Sequence, residues 1–411
     1  MSHATAPLSE VCSFRHGGTP SKGNASYWGG TIPWISPKDM KASVLTASQD
    51  TITEAGVSGS AASVVPEGSI LVVARSGILA HTLPVALAGR PLAFNQDIKA
   101  IQVTSEKVLG EYVYWFIRGR EHEVLTRGVK KGATVHSLQS GYLEGLDIPL
   151  VPLPEQRRIV DLLSRAENIV RMRREAEQKA KEIIPALFLD MFGDPARNPK
   201  NWPIEPLAEV AAIESPLRTP DLVTEATDVC IGPDSIESMT GQLLSQPTVG
   251  DIRPISGKYR YRCRDVLYSK IRPALVKVAL APSDGYCSAD MYPLRCAPRA
   301  RPEYLQQILL NKHFTRYALD RATRAQMPKI NREALFAYRL PVPPTDLQDA
   351  FTRYCQGYGR VREQQRQALR VTEQAFQSLL AGVFGKGRDR QFRPAQAASN
   401  GVQGNGFYSR Q

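Results

Sequence analysis

The 411-residue chain contains no glycine loop of the form GxGxxG or GxxxxGK[ST], no GxSxG nucleophile turn, and no Asn/Asp-Pro-Pro-aromatic tetrapeptide. Those absences remove dinucleotide and P-loop chemistry, the hydrolase nucleophile turn, and the grip an adenine methyltransferase places on a flipped base. The six histidines are scattered, with neither HxH nor HExxH, and the six cysteines form no CxxC and no zinc-ligand spacing. Cysteines used in this way read as buried thiols of a reducing compartment. No apolar run approaches the ~20 residues that span a bilayer, and the N-terminal stretch lacks a signal-peptide core. A cytoplasmic protein without membrane contact is expected.

What the chain has in excess is positive charge, +12 with a pI near 9.4, which suits a polyanionic partner. It is also too long for one ordinary core, so two or three units are expected.

The most informative feature is a repeat. Residues 155–192 carry apolar side chains at steps of three and four: Ile159, Leu162, Ala166, Ile169, then Ala176, Ala180, Ile183 and Leu187. Adding 192 to each number gives Phe351, Tyr354, Tyr358, Val361, Ala368, Thr372, Ala375 and Leu379, with polar Arg173 and Gln365 interrupting both series alike. Such spacing predicts two helices of equal length whose apolar edges mate as an antiparallel coiled coil. Residues 155–192 would form a rod of about 57 Å, kinked or ended near Ile184 by Pro185 and stopped by Gly193. Thr345 and Gln348 have the spacing of a capping box that starts the second helix.

The duplication extends upstream. Ile148-Pro149-Leu150-Val151-Pro152 is answered by Leu340-Pro341-Val342-Pro343-Pro344, Trp34-Ile35-Ser36-Pro37 by Cys230-Ile231-Gly232-Pro233, and Gly68-Ser69-Ile70-Leu71 by Arg264-Asp265-Val266-Leu267. A fainter echo links Ala93-Phe94-Asn95-Gln96-Asp97 to Tyr286-Cys287-Ser288-Ala289-Asp290. Short apolar runs bounded by Gly and Pro (70–73, 83–87, 98–103, 266–268, 275–279) read as strands, and 107–120 and 303–310 as helices. The expected architecture is α/β of the α+β kind with mainly antiparallel sheets. Globular domains at 1–150 and 196–340 would each be followed by a long helix, 151–195 and 341–386, with a disordered tail at 387–411.

Basic, glycine-flanked loops are the candidate contacts for nucleic acid, because Lys and Arg neutralise phosphates while a few side chains read bases. In the first domain these are Lys38, Arg75, Ser76, Lys130, Lys131, Thr134 and His136. In the second they are Lys258, Ser269, Lys270, Arg272, Arg324 and Lys329. Two other readings stay open. Glu67, Asp97 and Lys99 loosely match the acidic pair and lysine of a metal-dependent nuclease, and the helices alone could form a scaffold that binds only proteins.

Taken together, Trp34-Ile35-Ser36-Pro37-Lys38-Asp39-Met40, Leu71 to Ile78, Asn95-Gln96-Asp97-Ile98-Lys99-Ala100 and the proline-rich run Pro149 to Pro154 before Glu155-Gln156 resemble the specificity subunit of type I restriction–modification enzymes. The likeness covers about residues 1–385. It departs from the pattern where Trp34-Ile35-Ser36 becomes Cys230-Ile231-Gly232 and Asn95-Gln96 becomes Ser288-Ala289. The resemblance implies a non-catalytic subunit whose two target recognition domains bind the halves of a bipartite, asymmetric double-stranded DNA site. Its helices would set the half-site spacing, roughly 16 base pairs at most, and carry two methyltransferase subunits, with a motor–nuclease restriction subunit as a further partner. S-adenosylmethionine, ATP and Mg²⁺ would serve those partners, and this chain would hold no cofactor of its own.

Overall fold

A computed structural model describes residues 3–322 and 328–384 of the chain, so Arg324 and the expected tail lie outside the described residues. The chain divides into two compact units. Of the described residues, 3–171 and 371–384 form the first, and 172–322 and 328–370 the second.

The first unit is closed by an antiparallel pair between Thr5–Pro7 and Asp147–Pro149. Its five-stranded sheet runs Cys12–His16, Ile98–Val103, Ile70–Val73, Val85–Ala88, Val44–Leu45. Ile70–Val73 is buried at all four residues, as expected of a strand that reads as a continuous apolar run rather than an alternation, because both faces are covered. A four-stranded sheet holds Trp28–Ile35 parallel to Leu92–Phe94. Helix α1 (Gly110–Gly119) buries every residue from Tyr112 to Ile117. Tyr112 and Phe116 meet Phe384 at 5.4 and 5.8 Å, and Trp115 meets Phe376 at 6.0 Å, so the aromatic run is core.

Helix α2 (Leu153–Ala180) begins in the first unit, and its residues from 172 onward belong to the second. Its start is tied down by Gln156, which is fully buried: Nε2 donates to the Lys107 and Val151 carbonyls and Oε1 accepts from Leu109 N–H.

The second unit repeats this plan. Ile204–Pro206 pairs with Arg339–Pro341, Val229–Ile231 runs parallel to Gly285–Ser288, and Val266–Ser269 lies between Met291–Cys296 and Val278–Leu280. Helix α3 (Ile183–Phe192) follows a break at Lys181–Glu182, because Pro185 cannot donate to the Lys181 carbonyl one turn back. The rod therefore ends its first regular part at Ala180, four residues short of the expected point. Gly193 caps α3 with φ +81°, and a Cβ there would stand 2.6 Å from Pro199.

Helices α4 (Pro302–Leu310), α5 (Lys312–Arg321) and α6 (Thr345–Phe384) follow. Rings of Phe188, Phe192, Tyr304 and Phe351 form the unit's aromatic centre at 4.9–5.8 Å. Within this unit α6 runs opposite to α2–α3: Arg366 lies 3.7 Å from Glu177, Tyr358 donates to the Ala180 carbonyl, and Phe351 packs on Phe192.

Two expectations about the helices are corrected. The Thr345–Gln348 capping box does not form. Gln348, fully buried, donates instead to the Arg299 and Pro343 carbonyls and accepts from Arg301 N–H, reproducing Gln156 residue for residue. The apolar seam is also rotated by one position. Leu162, Ile169, Ala176, Ile183, Tyr354, Val361 and Ala375 are exposed, while Leu163, Val170, Leu369, Phe376 and Leu380 are buried. Ile159, Ala180 and Phe351 are buried as expected, and Ala166, Leu187, Tyr358, Ala368 and Leu379 are intermediate. Adjacent apolar pairs such as Leu162-Leu163 and Ile169-Val170 satisfy the same periodicity, and only the mating surface selects between them.

Candidate nucleic-acid interface

In the first unit a small three-stranded sheet gathers most of the basic residues singled out in the sequence. Val129–Lys130, His136–Leu138 and Arg75–Ser76 lie side by side, with Lys130 opposite Ser137, Ser137 opposite Arg75, and His136 opposite Ser76. The connecting loop carries Lys131 and Thr134, both exposed, and folds back through Gly132 N–H on His136 Nδ1 at 3.2 Å. Arg75 and Lys130 are exposed as well. Ser76 has a second use, since its Oγ accepts from Ile78 N–H.

What aims Arg75 is the turn Asn95–Asp97. The Asp97 carbonyl accepts from Ala74 and Arg75 N–H at 2.7 and 3.0 Å, and the Asn95 amide bridges to Asp97. Asn95 N–H in turn reaches the Ile35 carbonyl, which places exposed Lys38 in the turn that follows that strand.

The second unit builds the same ladder with other residues. Ile271 bridges Lys329, Arg272 N–H donates to Pro328 at 2.8 Å, and Ile330 N–H donates to Lys270 at 3.0 Å. Lys270, Arg272 and Lys329 are thereby brought together. Lys270 N–H takes the Asp290 carbonyl at 2.9 Å, the counterpart of Ala74 and Asp97, and Ser288 Oγ accepts from Asp290 N–H as Asn95 does from Asp97. The fainter sequence echo is thus one turn kept by different side chains. Lys270 Nζ stands 5.2 Å above the Tyr292 ring, and Arg272 takes a left-handed backbone at φ +48°.

Lys258 lies one strand away, directly opposite Ser288 and Arg218. Sequence reasoning missed Arg218 and Arg260, which share Glu225 as partner and stack on Tyr286 at 5.1 and 5.7 Å. Hydrogen bonds from Arg218 and then from Tyr286 hold the Glu225 carboxyl at about 2. Burial first, and Glu225 second, push Tyr286 to about 12. A strand-paired Leu-Arg in a proline-flanked loop offers no period to detect.

Ser269 is a correction: it is 3 % exposed and its Oγ bonds to the Ile271 carbonyl, so it shapes the turn and presents nothing to a ligand. The nuclease set also comes apart. Lys99 is buried, 2.9 Å from Glu144 and over the Phe14 ring. Asp97 holds the turn next to Ile98, which pairs with Val73, whereas Glu67 precedes Ile70 at the other end of that strand, on the order of 20 Å away at ~3.3 Å per residue. Among the described residues no group of three or more His, Cys, Asp or Glu is arranged to hold a metal ion. No helix among them is long and apolar enough to cross a membrane.

Each unit is therefore a mixed α/β body that carries a short cationic ladder on a sheet and a hydrogen-bonded turn. Residues 4–182 match the family model described as the type I restriction modification DNA specificity domain. The chain is 38% identical over 181 residues to the specificity subunit of the type I restriction enzyme EcoR124I/EcoR124II of Escherichia coli, covering 43% of this chain and 45% of that one. It is 28% identical over 329 residues to the EcoDI specificity subunit of the same organism, covering 71% and 73%. With the MjaIX specificity subunit of Methanocaldococcus jannaschii it is 28% identical over 222 residues, covering 50% of each. The match thus spans about half the length of two of these relatives.

Among solved structures, the type I S subunit from M. genitalium is similar at TM-score 0.55 and 12% identity, covering 93% of this chain and 96% of that one. A chain from a type I R-M system, solved for its complex assembly and conformational transition, is similar at TM-score 0.57 and 17% identity, covering 93% and 97%. The chain is thus similar, over residues 4–182 in the family model and over longer stretches in two relatives, to the specificity subunits of type I restriction enzymes, and it shares their fold.

Proposed function

We propose that this chain is the DNA-recognition subunit of a type I restriction–modification complex, non-catalytic itself, in which each unit binds one half of a bipartite, asymmetric double-stranded site. The observation that supports this reading most is the recurrence of one strand pairing at repeat-equivalent positions, flanked by cations that stand at neighbouring rather than matching places, Arg75, Lys130 and Lys131 with Thr134 and His136 in one unit and Lys270, Arg272 and Lys329 in the other. The residues within the ladders differ, as expected if the two half-sites differ in sequence. Lys38, Ser76, Lys258 and Arg218 extend the same contacts.

In this reading the globular domains at 1–150 and 196–340 are the target recognition domains. The helices at 151–195 and 341–386 mate as an antiparallel coiled coil that fixes the spacing between half-sites. The apolar positions left exposed serve as docks for two methyltransferase subunits: Leu162 and Ile169 in the first unit, and their repeat mates Tyr354 and Val361 in the second. S-adenosylmethionine, ATP and Mg²⁺ belong to those partners and to a restriction subunit, and the complex works in the cytoplasm.

The test is a matched deletion of seven residues from α2 and from α6, assayed with the methyltransferase subunits present. A loss of seven residues shortens each rod by about 10 Å, so the preferred spacer contracts by about 3 base pairs while both half-site sequences persist. An unchanged spacer in a folded variant refutes the spacing role.

A further inference from the structure

The two units differ at several positions that the repeat makes equivalent. Tyr112 Oη bonds to the Pro149 carbonyl and Tyr304 Oη to the Pro341 carbonyl, so α1 and α4 correspond at the same step of 192 as the long helices. In the first unit the space beside α1 is filled. Arg118 is bonded to Glu167 and to Tyr114 Oη, and its guanidinium lies 4.9 Å from the Trp115 ring and 5.8 Å from Phe376.

In the second unit every one of those fillers is replaced by something smaller. Trp115 corresponds to Gln307, Arg118 to Leu310, Glu167 to Gly359 and Phe376 to Ile184. All four replacements line a cavity of about 770 Å³, inside the ~300–1,000 Å³ range of small-molecule sites. One replacement goes the other way, since Val170 becomes Arg362. Arg362 and Gln242 line the same cavity, and Arg362 Nε and Nη2 and Gln242 Nε2 are buried with no hydrogen-bond partner among the described residues. The other cations there are matched: Lys181 by Glu237 at 3.2 Å and Arg264 by Glu303 at 2.9 Å. Arg362 is half-buried and within electrostatic reach of Glu237, which also pairs with Lys181, but its two buried nitrogens have no acceptor, and unpaired buried donors are costly until one arrives.

We propose that this cavity is a binding site for a small organic anion with an aromatic or alkyl body. The body takes the place of the missing rings, against Ile184, Leu280 and Leu310, and the acidic group takes the orphan donors of Arg362 and Gln242. In the first unit Trp115, Phe376 and the Arg118–Glu167 pair stand at the repeat-equivalent positions and fill the space. The inference is independent of the DNA-binding reading.

The test uses the full chain and the fluorescent probe 1-anilinonaphthalene-8-sulfonate, with uncharged 1-anilinonaphthalene as its control. One saturable site is expected for the sulfonate, and binding at least about tenfold weaker for the uncharged compound. Arg362→Met keeps the apolar stem, removes the unpaired donors and is expected to fold, and it should weaken the sulfonate at least about tenfold. Gln307→Trp should abolish the site by filling it. If that variant fails to fold, the pair Leu310→Arg with Gly359→Glu, which restores the ion pair of the first unit, serves in its place. Equal affinity of folded Arg362→Met for the sulfonate, or no saturable binding by the parent chain, overturns the proposal.

Discussion

The Lys99 ammonium lies 2.9 Å from the Glu144 carboxylate, with the lysine side chain 3 % exposed and the glutamate 35 %. That asymmetry decides what each substitution does. Glu144→Ala strands a buried cation and should cost about 3 kcal/mol in chemical denaturation, whereas Lys99→Met leaves a carboxylate that water can reach and should cost less than about half as much. Equal losses would show that burial of the lysine does not control the pair.

Gln348 offers a second measurement of stability. Removing its amide in Gln348→Ala leaves the Arg299 and Pro343 carbonyls and Arg301 N–H without their partner, a loss of about 2–4 kcal/mol at roughly 1 kcal/mol or more per buried group. Gln156→Ala should behave alike in the first unit. Thermal or urea unfolding of both variants checks this, and a change below about 0.5 kcal/mol for either would count against the tie.

The Glu225 cluster predicts an acid-dependent term. The carboxyl is held at about 2 in the folded chain against an ordinary 4.5, by Arg218 first and Tyr286 second. A depressed carboxylate contributes stability that is fully present above its unfolded value and is lost as pH falls from about 4.5 to about 2. Glu225→Gln should therefore be less stable than the parent at pH 7, with the gap closing as pH falls through that window. A gap of constant size from pH 7 to pH 2 contradicts the assignment.

Phosphate contacts are distinguishable from base contacts by salt. If Lys130 and Lys131 meet phosphates, replacing both with Ala should weaken binding of all sequences alike and lower the log–log salt slope by about 1.8 on B-DNA. Arg272→Ala tests the second ladder in the same way. A slope unchanged by either substitution, with affinity also unchanged, would place the nucleic acid on another face.

Much of the architecture was legible because it depends on local pattern. Continuous apolar runs identified Ile70–Val73 and Ile98–Val103 as strands with the observed ends, and the 192-residue step located both long helices. The errors arose where the deciding partner is distant in sequence. Leu162 and Leu163 are indistinguishable until a second surface chooses one, Ser269 looks like a surface serine until the Ile271 turn closes over it, and Gln348 mimics a cap because two of its three partners are 47 and 49 residues upstream. The cationic ladders were legible only as clusters. Strand pairing, which no single loop encodes, is what made neighbours of Arg75, Lys130 and His136.

The strand pairs Thr5–Pro7 with Asp147–Pro149, and Ile204–Pro206 with Arg339–Pro341, bring the beginning and end of each globular part into contact. A body whose two ends emerge side by side is a cassette: its loops can change in length while the ends, and the contacts that tie it to the following helix, stay where they are. On the proposed function, a change of DNA preference would need only the exchange of such a body, with the strand register, the buried glutamine and the contacts of the domain's helix with the long helices as the fittings to match.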